Sequence, residues 1–305
     1  MKIRSGYGTC AIILLVLAGT VGASAQYGQS KTTQVAGDNG MTTEFVKTGL
    51  YVVSGGGSNS VLRLSANGLI LVNGKLPGNY SPLLAKVRKI SDQPIRALIL
   101  SNYDKSCAGN NETFQEAGTR IVSHKDTLSD ASSTDPAIPS VSPASITFAS
   151  QYRLQLGGVE AALMHFGNAH TNNDTVVYFP NLKAVAVGDL FASTPDPEFS
   201  AGGSLVDWGP VLAQVLKLDF DVVIPNSGPA ISRADLEGFK AKIDTLVSRA
   251  ALLVGKGVSK DQLRGELRTD DLGFQLSFTP EQVHGFYAEL SVMHPAQLNV
   301  TVAGR

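Results

Sequence analysis

The feature that most constrains this chain is a strand that empties into a crowded polar turn. Ala97-Leu98-Ile99-Leu100 is a continuous apolar run, as expected of a strand covered on both faces. Ser101-Asn102-Tyr103-Asp104-Lys105-Ser106-Cys107-Ala108-Gly109-Asn110-Asn111 follows it, and a helical pattern to Ala117 leaves it. A strand, a polar turn and a helix in that order is where α/β proteins place chemistry. Within six residues, Asn102 to Cys107, this turn carries a carboxylate, an amide, two hydroxyls and a thiol, so it is the first candidate for a site.

The rest of the chain supplies the scaffold. Short β-like runs, Phe45–Lys47, Leu50–Val53, Ser60–Leu64 and Leu69–Val72, are separated by Gly and Asn turns and predict antiparallel hairpins. Gly55-Gly56-Gly57 lacks the spacing of a phosphate loop. Leu83, Leu84, Val87 and Ile90 share one helical face, so Ser81–Ile90 reads as a helix with Pro82 in its first turn. A strand Arg120–Val122 follows, then a Ser/Pro/Asp-rich loop, Ser129–Ala144. The second half repeats the scheme. Tyr152–Leu156 and Val159–Met164 flank Gly157-Gly158, a hairpin signal, and Thr175–Phe179 pairs with Ala184–Val187 across Pro180-Asn181. A helix over Asp207–Leu216, a buried strand Val222–Ile224, and helices Ser232–Leu253, Ser259–Arg268 and Thr279–Leu290 complete the pattern. Hairpins then helices, twice, predict two sheets face to face with helices on both outer sides.

The N-terminus reads as a targeting segment. Lys2 and Arg4 precede an apolar run from Cys10 to Val21, and Ala23-Ser24-Ala25 is a small-residue cleavage site. The expected organisation is a signal peptide over residues 1–25, a flexible lead-in over 26–42, one domain over 43–295 and a tail over 296–305. The expected location is secreted or periplasmic. Cleavage removes Lys2, Arg4 and no acidic residue, taking the formal charge from −1 to −3, so neither nucleic acid nor an anionic membrane is an expected partner. Cleavage also removes Cys10, leaving Cys107 as a lone thiol without an intrachain disulfide partner.

The αββα pattern resembles the metallo-β-lactamase fold over Val46–Leu290. Gly56–Ser60, Asn67-Gly68 and Leu71-Val72-Asn73-Gly74 are similar to that superfamily's opening hairpins, and Pro94–Ser101 to the strand before its metal motif. Ala169–Pro180, Gly188-Asp189-Leu190-Phe191 and Val223–Pro229 are similar to its later motifs, in the same order. The resemblance implies a hydrolase scaffold whose members hold two zinc ions through a His-x-His-x-Asp-His turn. In this chain those positions carry Asn102, Asp104, Ser106 and Cys107; the fifth-motif histidine is Ser227, and the opening aspartate is Asn73. Only His170 and Asp189 keep the ligand types of the family. Asn and Ser are poor donors to zinc, so a dinuclear centre is not expected.

Three functional readings follow. The scaffold is a non-catalytic or strongly altered member that binds a small molecule or partner in the old active-site cleft. Alternatively, Asp104, Cys107, His170 and Asp189 hold one zinc ion and hydrolyse an ester, thioester or amide. In the third, no cofactor is needed: Cys107 is a nucleophile, His170 its base and Asp189 the orienting carboxylate. The expected cofactor is therefore none or one zinc. Asp174 is expected to brace the His170 loop, and Phe191 and Trp208 to wall the cleft or pack in the core. His124 is expected at the surface or a helix start, His165 in the core or on the rim of the cleft. His284 and His294 are read as structural.

Overall fold

In a computed structural model, the structure describes residues 40–127, 145–191, 196–199 and 202–293. The targeting segment, most of the lead-in, the Ser129–Ala144 loop, His294 and the tail lie outside the described residues.

Strands β1 (Thr42–Lys47), β2 (Leu50–Ser54), β3 (Ser60–Ser65) and β4 (Gly68–Val72) pair antiparallel in chain order. Helix α1 (Tyr80–Arg88) then carries the chain across, and β5 (Ile95–Ile99) joins β4 in parallel. β6 (Arg120–His124) and β7 (Ile146–Phe148) extend the parallel half. The second sheet contains β8 (Gln151–Leu156), β9 (Val159–Met164), β10 (Val176–Phe179), β11 (Ala184–Gly188), β12 (Val222–Pro225) and β13 (Ile231–Ser232), in the order β13-β12-β11-β10-β9-β8. Only β11 and β12 run parallel in it. Both sheets are therefore mixed.

Side-chain alternation shows the layering. Ile70, Val72, Ala97 and Ile99 of the first sheet pack with Leu163, Val177, Phe179, Ala186 and Ile224 of the second, forming the inner core. Their alternates Leu69, Leu71 and Leu98 face outward, against Leu83 and Val87 of α1 and Phe114 of α3 (Asn111–Glu116). Val176, Val185, Val187 and Val223 face the other way, against helices α4 (Leu205–Val215), α5 (Arg233–Gly255), α6 (Lys260–Glu266) and α7 (Pro280–Val292). The period of two along each strand thus feeds three cores and fixes an αββα sandwich.

Helix starts follow the capping residues. Ser232 and Asp235 form a reciprocal capping box at α5, and Thr279 and Gln282 do the same at α7. α4 starts two residues before the expected Asp207, because the Ser204 hydroxyl accepts the Asp207 N–H and so caps at 204. Gly209 lets α4 approach α5, since a Cβ there would stand 2.1 Å from Asp244 Oδ1. A one-turn helix not anticipated from the sequence, α2 (Lys105–Ala108), closes the polar turn. Among the described residues no helix is long and apolar enough to cross a membrane.

Candidate functional site

Two parallel strands of each sheet end at one place. Asn73 follows β4, Ser101-Asn102 follows β5, Asp189 follows β11 and Asn226 follows β12. Carboxyl ends of parallel strands are where α/β sheets present polar groups, because the backbone there has left the ladder. The loop after β9 brings His170 to the same place, and Thr175 N–H donates to Ser101 O at 2.7 Å, tying that loop to the β5 end.

His170 is the centre. Its Nε2 lies 3.2 Å from Asp104 Oδ2 and 3.8 Å from Asp189 Oδ2, and its Nδ1 lies 2.7 Å from the Glu198 carbonyl oxygen. One ligand atom from each of Asp104, His170 and Asp189 falls within 4.8 Å of the others. Burial disfavours the imidazolium, but the Asp104 hydrogen bond and the charges of Asp189, Asp174 and Asp104 outweigh it, raising the His170 pKa to about 10. A proton on this ring therefore holds the positive charge between two carboxylates. Burial raises the Asp189 pKa, against the pull of His170. Asp174 braces the loop as expected: it accepts Thr171 N–H at 2.9 Å and Thr171 Oγ1–H at 2.7 Å, and burial raises its pKa to about 6. Gly203 makes room for the loop, since a Cβ would stand 2.4 Å from the His170 carbonyl oxygen.

The amides around Asp189 have directions set by the backbone. Ser101 N–H donates to Asn73 Oδ1 at 2.9 Å, which turns Asn73 Nδ2 toward Asn226 Oδ1, also at 2.9 Å. Asn226 Nδ2 is thereby turned to Asp189 Oδ2 at 2.7 Å. Independently, Asp104 N–H donates to Asn102 Oδ1 at 3.1 Å, leaving Asn102 Nδ2 to donate to the same Asp189 oxygen at 2.8 Å. Backbone N–H groups cannot reverse, so both chains deliver donors to Asp189. Asn73 can occupy its turn because asparagine tolerates the left-handed backbone found there, φ 66°.

Of the four expected ligands the structure brings three together. The α2 turn points Cys107 into the interior instead. Cys107 is fully buried, and its Sγ contacts Ser101 Oγ at 3.5 Å, Ser106 Oγ at 3.7 Å and Asn226 Oδ1 at 3.7 Å. No hydrogen bond joins it to His170 among the described residues. Burial and the charges of Asp189 and Asp104 push its thiol up to about 12, the opposite of what a thiolate nucleophile or ligand needs. Ser227 is exposed, and its neighbour Asn226 reaches the site in its place. Ser106 touches Cys107 and, through its carbonyl, Ser58 N–H and Oγ–H.

The expectation for His124 is corrected, and the other candidates take places allowed for them. His124 is not at the surface: it is buried, stacks on His165 at 4.2 Å between centroids, and its Nε2 lies 2.6 Å from Ala149 O. Trp208 takes the core alternative. It is fully buried beside Phe239, with its Nε1–H on Leu190 O at 3.0 Å, and the partly buried Phe191 packs on the same Phe239. His165 is half-buried, and its Nδ1 lies 2.9 Å from Asp174 O. His284 is exposed and paired with Asp261. The sequence reading missed Lys75, whose ammonium is fully buried and donates to Val53 O at 2.6 Å and Ser58 O at 2.5 Å. Burial lowers its pKa to about 7.

These residues do not fit a pair of zinc ions. Amide N–H groups of Asn102 and Asn226 point at the carboxylate that would have to bridge them, and amide N–H groups cannot ligate a cation. Two of the remaining positions, those of Cys107 and Ser227, face away from the cluster or into solvent.

No protein-family profile matches the chain. It is 22% identical over 251 residues to the 2,4-dinitroanisole O-demethylase subunit alpha of Nocardioides sp. (strain JS1661), covering 80% of this chain and 72% of that protein. Among solved structures it is similar to a metallo-β-lactamase from Pontibacter korlensis, with TM-score 0.56, 20% identity and coverage of 70% of this chain and 98% of that one. It is similar to the metallo-β-lactamase FIM-1 of Pseudomonas aeruginosa in its mono-zinc form, with TM-score 0.58, 17% identity and coverage of 67% and 94%. It is also similar to the stereoselective inverting sec-alkylsulfatase Pisa1 of Pseudomonas sp., with TM-score 0.62, 15% identity and coverage of 80% and 47%.

Proposed function

Taking the metallo-β-lactamase fold as the premise, we propose that this protein is an exported member of that fold which binds a small cationic molecule at the strand ends, without a dinuclear zinc centre. The observation that carries this reading is the environment of Asp189. Its Oδ2 accepts N–H bonds from Asn102 and Asn226 and faces His170 Nε2. Protein dipoles and one proton thus stand where cations otherwise would. Two carboxylates share a single imidazolium, so the cluster keeps a net negative charge. Asp104 and Asp189 are both partly exposed to solvent, with side chains 33% and 27% accessible. Lys105, next to Asp104, is exposed, and the buried Lys75 ammonium is held by the Val53 and Ser58 carbonyls. A dinuclear centre presents positive charge to its substrate, and this cluster presents negative charge, so an amine fits and a carboxylate does not.

Benzylamine and benzoate, similar in size and opposite in charge, test the reading. Titration followed by amide chemical shifts is expected to give saturable shifts around Asp104 and Asp189 with benzylamine alone, weakened in Asp104→Asn. Equal or tighter binding of benzoate contradicts it. Export is supported by Lys2, Arg4, the Cys10–Val21 run and Ala23-Ser24-Ala25. N-terminal sequencing of the mature protein is expected to begin at Gln26.

One observation favours a second reading. One carboxylate oxygen each of Asp104 and Asp189 and a ring nitrogen of His170 are close enough to hold a single divalent cation once the His170 ring gives up its extra proton. That cation would supply Lewis-acid chemistry, and the protein would be a mononuclear hydrolase. Cys107 would take no part.

A further inference from the structure

The site's centre depends on a contact that the strand-end loops do not make. His170 Nδ1–H is held by the Glu198 carbonyl oxygen at 2.7 Å, which directs Nε2 at Asp104 and Asp189. Residues 196–199 belong to no strand or helix. They are held by the C-terminal part of the chain. Asp196 Oδ1 accepts Gln275 N–H at 2.6 Å and Leu276 N–H at 2.8 Å, and its Oδ2 accepts Ser277 N–H at 2.7 Å. Leu276 adopts a left-handed backbone, φ 50°, and this turn aims three successive N–H groups at one carboxylate. Those bonds outweigh the effect of burial and hold the Asp196 carboxyl below its ordinary pKa. Three residues on, Gln282 Nε2 donates to Phe199 O at 2.7 Å, and the Phe199 and Phe278 rings meet edge to face at 5.4 Å. Glu198 lies between the two anchors.

We propose that Asp196 and Gln282 are positioning residues: by fixing the 196–199 segment to the stretch 275–282, they hold the Glu198 carbonyl on His170 Nδ1 and so set the direction in which Nε2 points. The C-terminal helical region is thereby coupled to the strand-end site. This rests on His170 being the centre of that site, and it deepens that reading by naming what orients the ring.

The test uses the 15N-labelled full chain without added ligand, observing ring N–H resonances, with His170 assigned by its loss in His170→Gln. Asp196→Ala removes the first anchor. Gln282→Glu removes the second while keeping an oxygen for the Thr279 N–H that caps α7. Either variant is expected to speed solvent exchange of the His170 Nδ1–H by about tenfold, the loss of roughly one hydrogen bond. Asp196→Asn, which keeps an acceptor oxygen, is expected to fall between. The ring signals of His124 and His165 are expected to stay in place. An unchanged His170 signal in folded Gln282→Glu and Asp196→Asn overturns the proposal. Equal displacement of all three rings overturns it as well, because the effect would then be general loosening. If Asp196→Ala does not fold, the other two variants decide. Binding or rejection of benzylamine leaves this result untouched, so the two readings fail separately.

Discussion

His170→Gln gives a pH signature that its geometry fixes in sign. The folded ring has its pKa raised from 6.5 to about 10 by the carboxylates around it. A group raised on folding stabilises fully below its unfolded pKa and loses that contribution as pH climbs through the folded value. At pH 7 the linkage amounts to about 4 kcal/mol, and near pH 10 to less than about 1 kcal/mol. His170 is only 6% exposed, so bulk solvent screens little of this. The assay is reversible urea unfolding of metal-free wild type and His170→Gln at several pH values from 6.5 to 10. Groups remote from His170 are common to both proteins and cancel in the difference, whereas Asp174 and Asp189, whose pKa His170 lowers, titrate higher in the variant and offset part of the slope. The stability advantage of wild type is expected to shrink by up to about 4 kcal/mol across that window. A difference that stays flat with pH refutes the claim that a proton on His170 neutralises Asp104 and Asp189.

Lys75→Met is expected to show the opposite slope. The buried ammonium titrates near 7 in the folded chain, so between about 7 and 10.4 the unfolded state binds more protons, and wild type gains about 1.4 kcal/mol per pH unit over the variant in the same unfolding series. Cys107, with its thiol pushed up to about 12, is expected to resist a thiol reagent at pH 8 in native protein and to react only as urea unfolds it; prompt native labelling contradicts this. Asn226→Ala strips donors and acceptors from Asp189, Asn73 and Cys107 together and is expected to cost about 2–4 kcal/mol in urea unfolding.

The scaffold was legible because strands and caps write themselves into residue order. The apolar runs between Gly and Asn turns, Leu69–Val72 among them, predicted the strands, and Ser232 and Thr279 predicted helix starts that the structure has. The gathering of Asp104, His170 and Asp189 was also readable, since each follows a strand or hairpin that the family resemblance places at one edge. What sequence could not supply was direction. Asn73, Asn102 and Asn226 look like three neutral losses until the Ser101 and Asp104 N–H groups orient them. Ser227 was the expected position, yet Asn226 beside it faces inward, because a one-residue change inverts which side chain enters a site. Cys107 was expected in the cluster, but the α2 turn rotates it inward, and such a short helix leaves no periodic signature. His124 was misplaced because its partner His165 follows β9 of the other sheet, and no local pattern reveals such a distant contact.

Metal content tests the central claim most directly. Protein purified without chelator, equilibrated with excess zinc, passed through desalting resin and analysed by elemental mass spectrometry is expected to retain close to no zinc, because Asn102, Asn226 and the His170 proton already occupy the groups around Asp189. Retention of two zinc ions per chain contradicts the account, and retention of one, lost in Asp104→Asn and His170→Gln, replaces it with the mononuclear reading.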